Sequence, residues 1–175
     1  MNVNDLEQLF AYVTDLRRRF LAKFRDLGWD AIIKNREATY NSMHDIFIHL
    51  LEVEDSYLHY DIPGKPWEDI DPALFKTFED IEKYDQEVAE KAQAFFRDLP
   101  LEDVPKEIEI TGWRRKATIE QVLLHTFLDE IAHIGELVAL MWQIDEEPPW
   151  TSIVRTWESR PPTSTVGSEG GSSGP

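Results

Sequence analysis

Apolar side chains recur at intervals of three and four residues along four long segments of the chain, and this period is typical of amphipathic helices. The first segment covers residues 4–27, where one apolar stripe extends from Leu6 to Leu27. Asn4 is the predicted N-cap, and Gly28 follows where helices often end in a left-handed residue. We therefore predict one long helix over this segment.

The same period predicts three further helices, over residues 42–60, 77–99 and 118–144. Ser42 is in position to cap the second helix, and Thr118 with Gln121 matches a capping box at the start of the fourth. Asp71-Pro72 predicts a short helix that leads into the third, because proline is favoured at the first helical position.

Residues 106–111 alternate between polar and apolar side chains, and Gly112-Trp113 then predicts a turn. Such a two-stranded hairpin is not stable as a domain by itself. Four long amphipathic helices predict an all-α fold, a four-helix bundle, with a short extended or hairpin insert between the third and fourth helices.

The composition fits one domain and argues against some classes of partner. The chain has 175 residues, of which 34 are acidic and 18 basic, so its formal net charge is −16. We expect neither a nucleic acid nor an anionic membrane as a partner, because both require a basic face. Without cysteine, the chain cannot form disulfides or thiolate metal sites, and any thiol chemistry would need an external thiol.

Two segments bear on location and domain limits. The first five residues show no features of a signal peptide, and no apolar run could cross a bilayer, so we expect a cytoplasmic protein. Residues 1–160 are predicted to form the helical domain. Residues 161–175 are rich in Gly and Ser and are predicted to be a flexible tail, which resembles an engineered linker more than a natural disordered tail.

The candidate chemistry lies among five histidines. His49 interrupts the apolar face of the second helix, while His125, Asp129 and His133 follow at four-residue intervals on the fourth. A buried line of ionisable groups is costly unless its members are paired or bind a metal. His125 and His133 are about 12 Å apart along the helix axis and can hardly share an ion, whereas Asp129 can join either.

One such pair with His49 on a facing helix would form a three-ligand face with open positions for water and substrate. Two histidines and a carboxylate suit Zn²⁺, Fe²⁺ or Ni²⁺. If the two helices are antiparallel and end level, His49 lies at the depth of Asp129, with His125 and His133 one turn to either side. Spacing alone leaves that choice open, and the alternative is a set of ordinary core or boundary histidines.

Four other polar residues near these positions are not expected to be metal ligands. We expect His44 and His59, near the two ends of the second helix, to be solvated. Glu52 and Glu130 could support the ligands through hydrogen bonds, but a solvated helix face is the expected position for both.

Two motifs of this chain resemble those of the DinB-like, or YfiT-like, metal-binding proteins. The first consists of Ser42, His49-Leu50 and the following Glu54. The second runs from Trp113 to His125 and continues into Asp129, His133 and Gly135-Glu136. The resemblance extends from the first helix to the fourth.

The resemblance implies a bundle of up-down-down-up topology, often assembled as a homodimer. It also implies a metal held by one histidine of the second helix and by two histidines of the last helix, which stand four residues apart just before a glycine. On this chain those ligands would be His49, Asp129 and His133. Asp129 stands where the family usually has histidine, so the site either prefers a harder metal or has lost its metal. The arginine that usually follows the last histidine is also absent, and Ile134 stands in its place.

Characterised members of that family include metal-dependent transferases and isomerases that use a low-molecular-weight thiol as cosubstrate. The resemblance therefore implies a metal-dependent thiol transferase or hydrolase acting on a small-molecule substrate, with zinc, nickel or iron as cofactor. The alternative is a non-catalytic dimeric helical bundle with a structural or vestigial metal site.

Overall fold

Four long helices pack side by side, with a small antiparallel hairpin at one end. The computed structural model describes residues 3–67, 69–110 and 115–153. Its α-helices are α1 (Val3–Leu27), the short α2 (Trp29–Ile32), α3 (Met43–Ser56), α4 (Phe78–Asp98) and α5 (Ile119–Trp142). A π-helical turn at Tyr57–Asp61 extends α3, and 3₁₀ turns lie at Pro72–Leu74 and Leu101–Asp103. No helix within the described ranges is long and apolar enough to span a membrane.

Two predicted caps are present at the helices that matter most for the site. The Ser42 hydroxyl accepts a hydrogen bond from the Asp45 N–H at 3.1 Å and caps α3. Thr118 and Gln121 form a reciprocal capping box at the start of α5. These bonds satisfy N–H groups that have no partner within the helix, so both helices begin where the sequence predicts.

The ends of α1 differ from the prediction in detail. Val3 is already helical, so the prediction that Asn4 is the N-cap is wrong, because the helical backbone extends past it. Gly28 has a positive φ of 86°, as expected after the last turn, but its ψ of 157° is extended rather than left-handed helical. The extended ψ arises because Gly28 also serves as the N-cap residue of α2.

The helices form a ring in which α1 and α3 each contact both α4 and α5. Phe10 contacts Phe96 with ring centroids 4.9 Å apart, while Arg25 bonds Glu82 at 2.7 Å, so α1 and α4 are antiparallel. Likewise α3 and α5 are antiparallel, since residue numbers in contact rise on one helix as they fall on the other.

Helices α3 and α4, in contrast, are parallel. Trp29 contacts the first turn of both, at His44 and Phe78. Asp55, near the end of α3, bonds Lys91 in the second half of α4. These directions confirm the predicted up-down-down-up topology.

Two groups of buried apolar residues fill the bundle. The larger joins α1, α3, α4 and the last turns of α5, and it includes Leu16, Phe20 and Phe24, all fully buried. The smaller lies toward the hairpin and includes Leu6 and Leu123. Burying each such side chain stabilises the fold by about 1.5–3 kcal/mol, so these stripes hold the helices together.

The predicted hairpin is present between α4 and α5. Strand β1 (Glu107–Ile110) pairs with β2 (Arg115–Thr118) in antiparallel register, with Ile108 opposite Ala117. Residues 111–114, which carry the predicted turn and the start of the second motif, lie outside the described residues, as do those from 154 onward, including the predicted tail.

Candidate metal centre

Three residues singled out in the sequence lie together between α3 and α5. His49 belongs to α3, and Asp129 and His133 belong to successive turns of α5. Asp129 Oδ2 lies 3.9 Å from His49 Nε2 and 3.8 Å from His133 Nε2. One ligand atom of each residue lies within 4.8 Å of the other two. We call these three residues the metal-ligand triad.

The spacing within the triad fits a shared ion better than mutual hydrogen bonding. At 3.8–3.9 Å, the carboxylate oxygen is too far from either imidazole nitrogen for a hydrogen bond. Ligand atoms around a tetrahedral ion with bonds of about 2.1 Å lie about 3.4 Å apart. The three atoms would therefore need to move by only about half an ångström to bind one ion.

His133 is oriented by a partner on its own helix. Its Nδ1 lies 3.1 Å from Glu136 Oε2, and Glu136 Oε1 accepts the Thr39 backbone N–H at 2.9 Å. Burial acts to raise the pKa of Glu136, but the hydrogen bonds from Thr39 and His133 outweigh it and lower that pKa. An ionised Glu136 accepts the proton of His133 Nδ1, which leaves the lone pair of Nε2 facing the common space of the triad.

His49 is held by contacts on two sides. The Tyr40 ring stacks on it with centroids 3.9 Å apart and planes inclined by 21°. Glu52 Oε2 lies 3.7 Å from His49 Nδ1, and Glu52 Oε1 accepts the Ile70 N–H at 2.8 Å. Glu52 is therefore half-buried beside a triad member, so the expectation that it lies on a solvated face is wrong.

The triad borders a cavity of about 770 Å³, which we call the α3–α5 cavity. This volume is within the range of small-molecule sites. Its lining combines aromatic and acidic side chains: Tyr40, Asp45, His49, Glu52, Val53, Ser56, Tyr57, Asp61, Trp67, Asp69, Ile70, Pro72, His125 and Asp129. A ligand in this cavity would reach two members of the triad directly.

His125 lies on the wall of the α3–α5 cavity, outside the triad. It is one turn before Asp129 on α5, and its ring contacts Tyr57 edge-on with centroids 5.5 Å apart. It also borders a smaller cavity of about 300 Å³ beside the hairpin. The register that spacing left open therefore brings His133, and not His125, next to His49.

A second polar cluster lies inside the bundle and ties its helices together. Arg17 of α1 bonds Glu54 of α3 at 2.6 Å, Asp85 of α4 at 2.8 Å and Glu130 of α5 at 2.8 Å. We call these four residues the Arg17 cluster. Because Arg17 and Glu130 are fully buried, the expectation that Glu130 lies on a solvated face is wrong. This clamp fixes the axial register of α3 against α5, and so aligns the triad.

The Arg17 cluster has three acidic groups and one basic group, and this imbalance determines which of its groups is protonated. Three carboxylates share one guanidinium, and one oxygen of Glu54 and one of Glu130 have no hydrogen-bond donor. Burial and the neighbouring Glu54 raise the pKa of Glu130 well above its ordinary value, against the lowering effect of Arg17. A proton retained on Glu130 supplies the donor that the two oxygens lack.

The remaining two histidines differ from the expectation that they are solvated. His44 is buried, with Nδ1 2.8 Å from Asp45 Oδ1 and Nε2 3.1 Å from the Phe75 carbonyl oxygen. His59 is half-buried, and its Nδ1 lies 2.8 Å from Asp55 Oδ1. The His44 ring is contacted by Trp29 before α3 and by the Phe75 carbonyl after it, which helix periodicity alone does not reveal.

Sequence reasoning did not assign a role to three residues that shape this site. Arg17 continues the three- and four-residue spacing of the α1 stripe, so its burial could have been predicted from that pattern. Glu136 stands three residues after His133, the spacing of a helical side-chain pair. Tyr40 lies in a loop, and no pattern in the sequence indicates that it stacks on His49.

This protein is a four-helix bundle with a His/Asp/His triad between two antiparallel helices. It therefore falls in the class of helical bundles with a candidate metal site. The chain belongs to the DinB family, whose model matches residues 1–165. The match confirms the family resemblance of the two motifs. No curated protein matches the chain.

Proposed function

We propose that this DinB-family protein binds a divalent transition metal through His49, Asp129 and His133 and transfers a group between a small-molecule substrate and an external low-molecular-weight thiol. The observation that carries the proposal is the convergence of three donor atoms within 4.8 Å at the edge of a cavity. Zinc, nickel and iron all accept two imidazoles and a carboxylate.

The residues of the chain have distinct parts in this proposal. When bound, the metal would supply Lewis acidity that lowers the pKa of a thiol or water. Glu136 orients His133 through its Nδ1, and Tyr40 covers one face of the His49 ring. The thiol comes from outside because the chain has no cysteine. We place the reaction in the cytoplasm, where such thiols stay reduced.

Metal content is the first test of this function. Protein purified without chelating resin should contain, or take up on titration, about one equivalent of zinc, nickel or iron per chain. The His49→Ala variant, purified in parallel, should not. Less than about a tenth of an equivalent, with no uptake, would overturn the proposal and favour a non-catalytic bundle.

Thiol transfer is the second test. Metal-loaded protein should accelerate the reaction of a low-molecular-weight thiol with a model electrophile, and a panel of thiols should show a clear preference. The His49→Ala protein serves as the matched control for the uncatalysed rate. Stoichiometric metal binding with no acceleration for any thiol would leave a structural metal site as the function.

We further propose that the protein is a homodimer that associates through α5. The outward face of this helix carries an exposed stripe of apolar and small residues, Leu128, Ala132, Gly135, Ala139 and Trp142. Leu128 is 61% exposed and Trp142 58% exposed. A Cβ built on Gly135 would meet nothing within 4 Å, so the packing of one chain does not require glycine there. A second copy of α5 could approach closely at this point.

Sedimentation at micromolar concentration tests the dimer. The Ala139→Glu variant should shift the protein to monomer, because it puts a charge into the centre of the interface. Ala11→Glu, on an exposed position of α1, is the matched control and should leave the dimer intact. A monomeric wild-type protein, or equal effects of the two variants, would contradict the proposal.

A further inference from the structure

The two histidines of the metal-ligand triad differ in what orients their rings. His133 Nδ1 lies 3.1 Å from Glu136 Oε2, within hydrogen-bond distance. Glu52 Oε2 lies 3.7 Å from His49 Nδ1, which is too far, and the described part of the chain provides no hydrogen bond to the His49 ring. A histidine that binds a metal usually donates its other ring N–H to an oxygen. His49 therefore needs another contact to fix its ring.

Tyr40 supplies such a contact. Its ring is stacked on the His49 ring, with centroids 3.9 Å apart and planes inclined by 21°. The same ring contacts the His133 ring edge-on, with centroids 5.4 Å apart. Rotation of an imidazole about its Cβ–Cγ bond has only broad preferences of its own. A ring packed against one face opposes that rotation, because the turning edge of the imidazole would run into the tyrosine.

The loop that carries Tyr40 is fixed by bonds of its own backbone. Residues 36–42, which we call the Tyr40 loop, lie between α2 and α3, and the Asn41 N–H bonds the Ala38 carbonyl oxygen at 3.0 Å to close a tight turn. The Arg36 N–H bonds the Asn41 carbonyl oxygen at 2.7 Å. Asn41 has a φ of 67°, a left-handed conformation that asparagine adopts more readily than most residues. The turn therefore presents Tyr40 in a defined position.

A further bond connects the Tyr40 loop to the other histidine of the triad. The Thr39 N–H donates to Glu136 Oε1 at 2.9 Å, while Glu136 Oε2 is the partner of His133 Nδ1. One carboxylate of α5 thus holds both the loop and the His133 ring. The position of Tyr40 over His49 and the orientation of His133 therefore depend on the same side chain.

We infer that Tyr40 is the positioning residue of His49. Its ring holds the imidazole in the orientation that metal binding requires, in place of the hydrogen bond that His133 has and His49 lacks. The aromatic ring performs this role, and the phenol hydroxyl is not needed for it. This inference rests on the proposed function, since it explains how one proposed ligand is prepared for the metal. It gives Tyr40 no part in the chemical step.

Two substitutions at residue 40 separate the ring from the hydroxyl. Tyr40→Leu removes the aromatic ring, and Tyr40→Phe keeps it. Competition with a chelator should show zinc binding weakened about tenfold or more in Tyr40→Leu, but within about twofold of wild type in Tyr40→Phe. Tyr60→Leu is the matched control and should leave zinc affinity unchanged, because it removes the same kind of ring from a position against Trp67. Equal losses in the two Tyr40 variants would overturn the inference.

The cobalt-substituted protein gives a readout that a loss of stability would not change. The visible absorption of bound Co²⁺ depends on the number and arrangement of its ligands. Tyr40→Phe should keep the wild-type bands, whereas Tyr40→Leu should broaden or shift them at full cobalt loading. Circular dichroism of each variant checks that the bundle is intact.

Glu52 is the other neighbour of the His49 ring, and its removal tests the alternative support. Glu52→Ala should keep the cobalt bands and weaken zinc binding by less than about threefold, since its carboxylate does not bond the imidazole. A larger effect of Glu52→Ala than of Tyr40→Leu would show that Glu52, and not Tyr40, orients His49.

The shared contact at Glu136 is tested by combining substitutions. Glu136→Ala releases both the Tyr40 loop and His133, so it should already remove part of what Tyr40 contributes. In that background, Tyr40→Leu should weaken zinc binding by less than about threefold, against about tenfold in the wild-type background. Equal factors in the two backgrounds would overturn the coupling of the loop to His133.

A measurement on the metal-free protein separates this inference from the function on which it rests. A stacked tyrosine ring shifts the carbon-bound protons of the His49 ring upfield in the NMR spectrum, and comparison with His49→Ala assigns their signals. Tyr40→Phe should keep that shift, and Tyr40→Leu should abolish it. An unchanged His49 signal in Tyr40→Leu would overturn the inference.

Zinc uptake by the same samples then distinguishes the two failures. If wild type binds zinc and Tyr40→Leu binds it as tightly, the inference is wrong and the metal site stands. If the ring shift depends on Tyr40 but wild type takes up no zinc, Tyr40 orients His49 as inferred and the metal-dependent function is what fails.

Discussion

Two neighbouring residues of α5 belong to the two polar clusters of the bundle, one to each cluster. Glu130 belongs to the Arg17 cluster, whose side-chain bonds measure 2.6–2.8 Å. Asp129 belongs to the metal-ligand triad, where its contacts with the two histidines measure 3.8–3.9 Å. Successive helical residues point about 100° apart, so adjacent carboxylates can serve separate sites.

The difference in bonding shows which cluster can bind something else. Arg17 bonds three carboxylates of its own chain, one from each of the other long helices, and it is fully buried. The triad is half-buried, and its donor atoms face a common space without bonding one another. A saturated cluster stabilises the fold, whereas an unsaturated one at a cavity edge is suited to a ligand.

Removing the cation of the Arg17 cluster should have the largest effect on stability. Arg17→Met leaves three buried carboxyl groups, two of them ionised, without their guanidinium, and we expect a loss of about 3–5 kcal/mol in the free energy of unfolding. Urea denaturation followed by circular dichroism measures it. Arg18→Met, at an exposed neighbouring position, should change stability by less than about 0.5 kcal/mol. Similar effects of the two changes would show that the cluster is not structural.

Removing a triad histidine should affect metal binding rather than folding. His49→Ala and His133→Ala should each weaken zinc binding by more than about a hundredfold, because two ligands do not define a rigid site. Zinc titration against a competing chelator measures this affinity. His125→Ala is the matched control on α5 and should weaken binding far less. A larger effect of His125→Ala would mean that the ligand register is wrong by one helical turn.

Changing the group that orients His133 should have a smaller effect. Glu136→Ala should weaken zinc binding by about tenfold or more, because the imidazole loses its Nδ1 partner. Glu136→Gln keeps an acceptor but not the charge, so its effect should lie between wild type and alanine. The same chelator competition ranks the three proteins. An unchanged affinity in Glu136→Ala would show that the hydrogen bond does not support the ligand.

The smallest expected effect concerns Asp55, whose buried carboxylate is bonded to His59 and Lys91. Burial acts to raise the pKa of Asp55, but the bonds from His59 and Lys91 outweigh it and lower that pKa below 3.8. The unfolded chain therefore binds the proton more readily than the folded one. The contribution of Asp55 to stability is present above about pH 4 and is lost as the pH falls through its folded-state pKa.

Urea denaturation between about pH 2 and pH 5 tests this dependence. The Asp55→Asn variant should lose less stability than wild type over that range, since its side chain does not titrate. Asp26→Asn, at an exposed position on α1, should follow the wild-type curve. Parallel curves for wild type and Asp55→Asn would contradict the assignment.

The helices of this protein were predictable because their signals are local. The three- and four-residue period of the stripes and the caps at Ser42 and Thr118 depend on neighbours within one or two turns. The proximity of His49 to Asp129 could also be predicted, on the assumption that their two helices are antiparallel and end at the same level. Each of these inferences needs only helix geometry and side-chain chemistry.

The tertiary structure decided what depends on register and on contacts between distant segments. Helix spacing allows Asp129 to pair with His125 or with His133, and only the packing of α3 against α5 distinguishes them. Arg17 is one of three consecutive arginines, and its burial follows from carboxylates on three other helices. The sequence by itself determines which residues can share a helix face, whereas packing determines which faces meet, because the free energy of that choice is spread over the whole core.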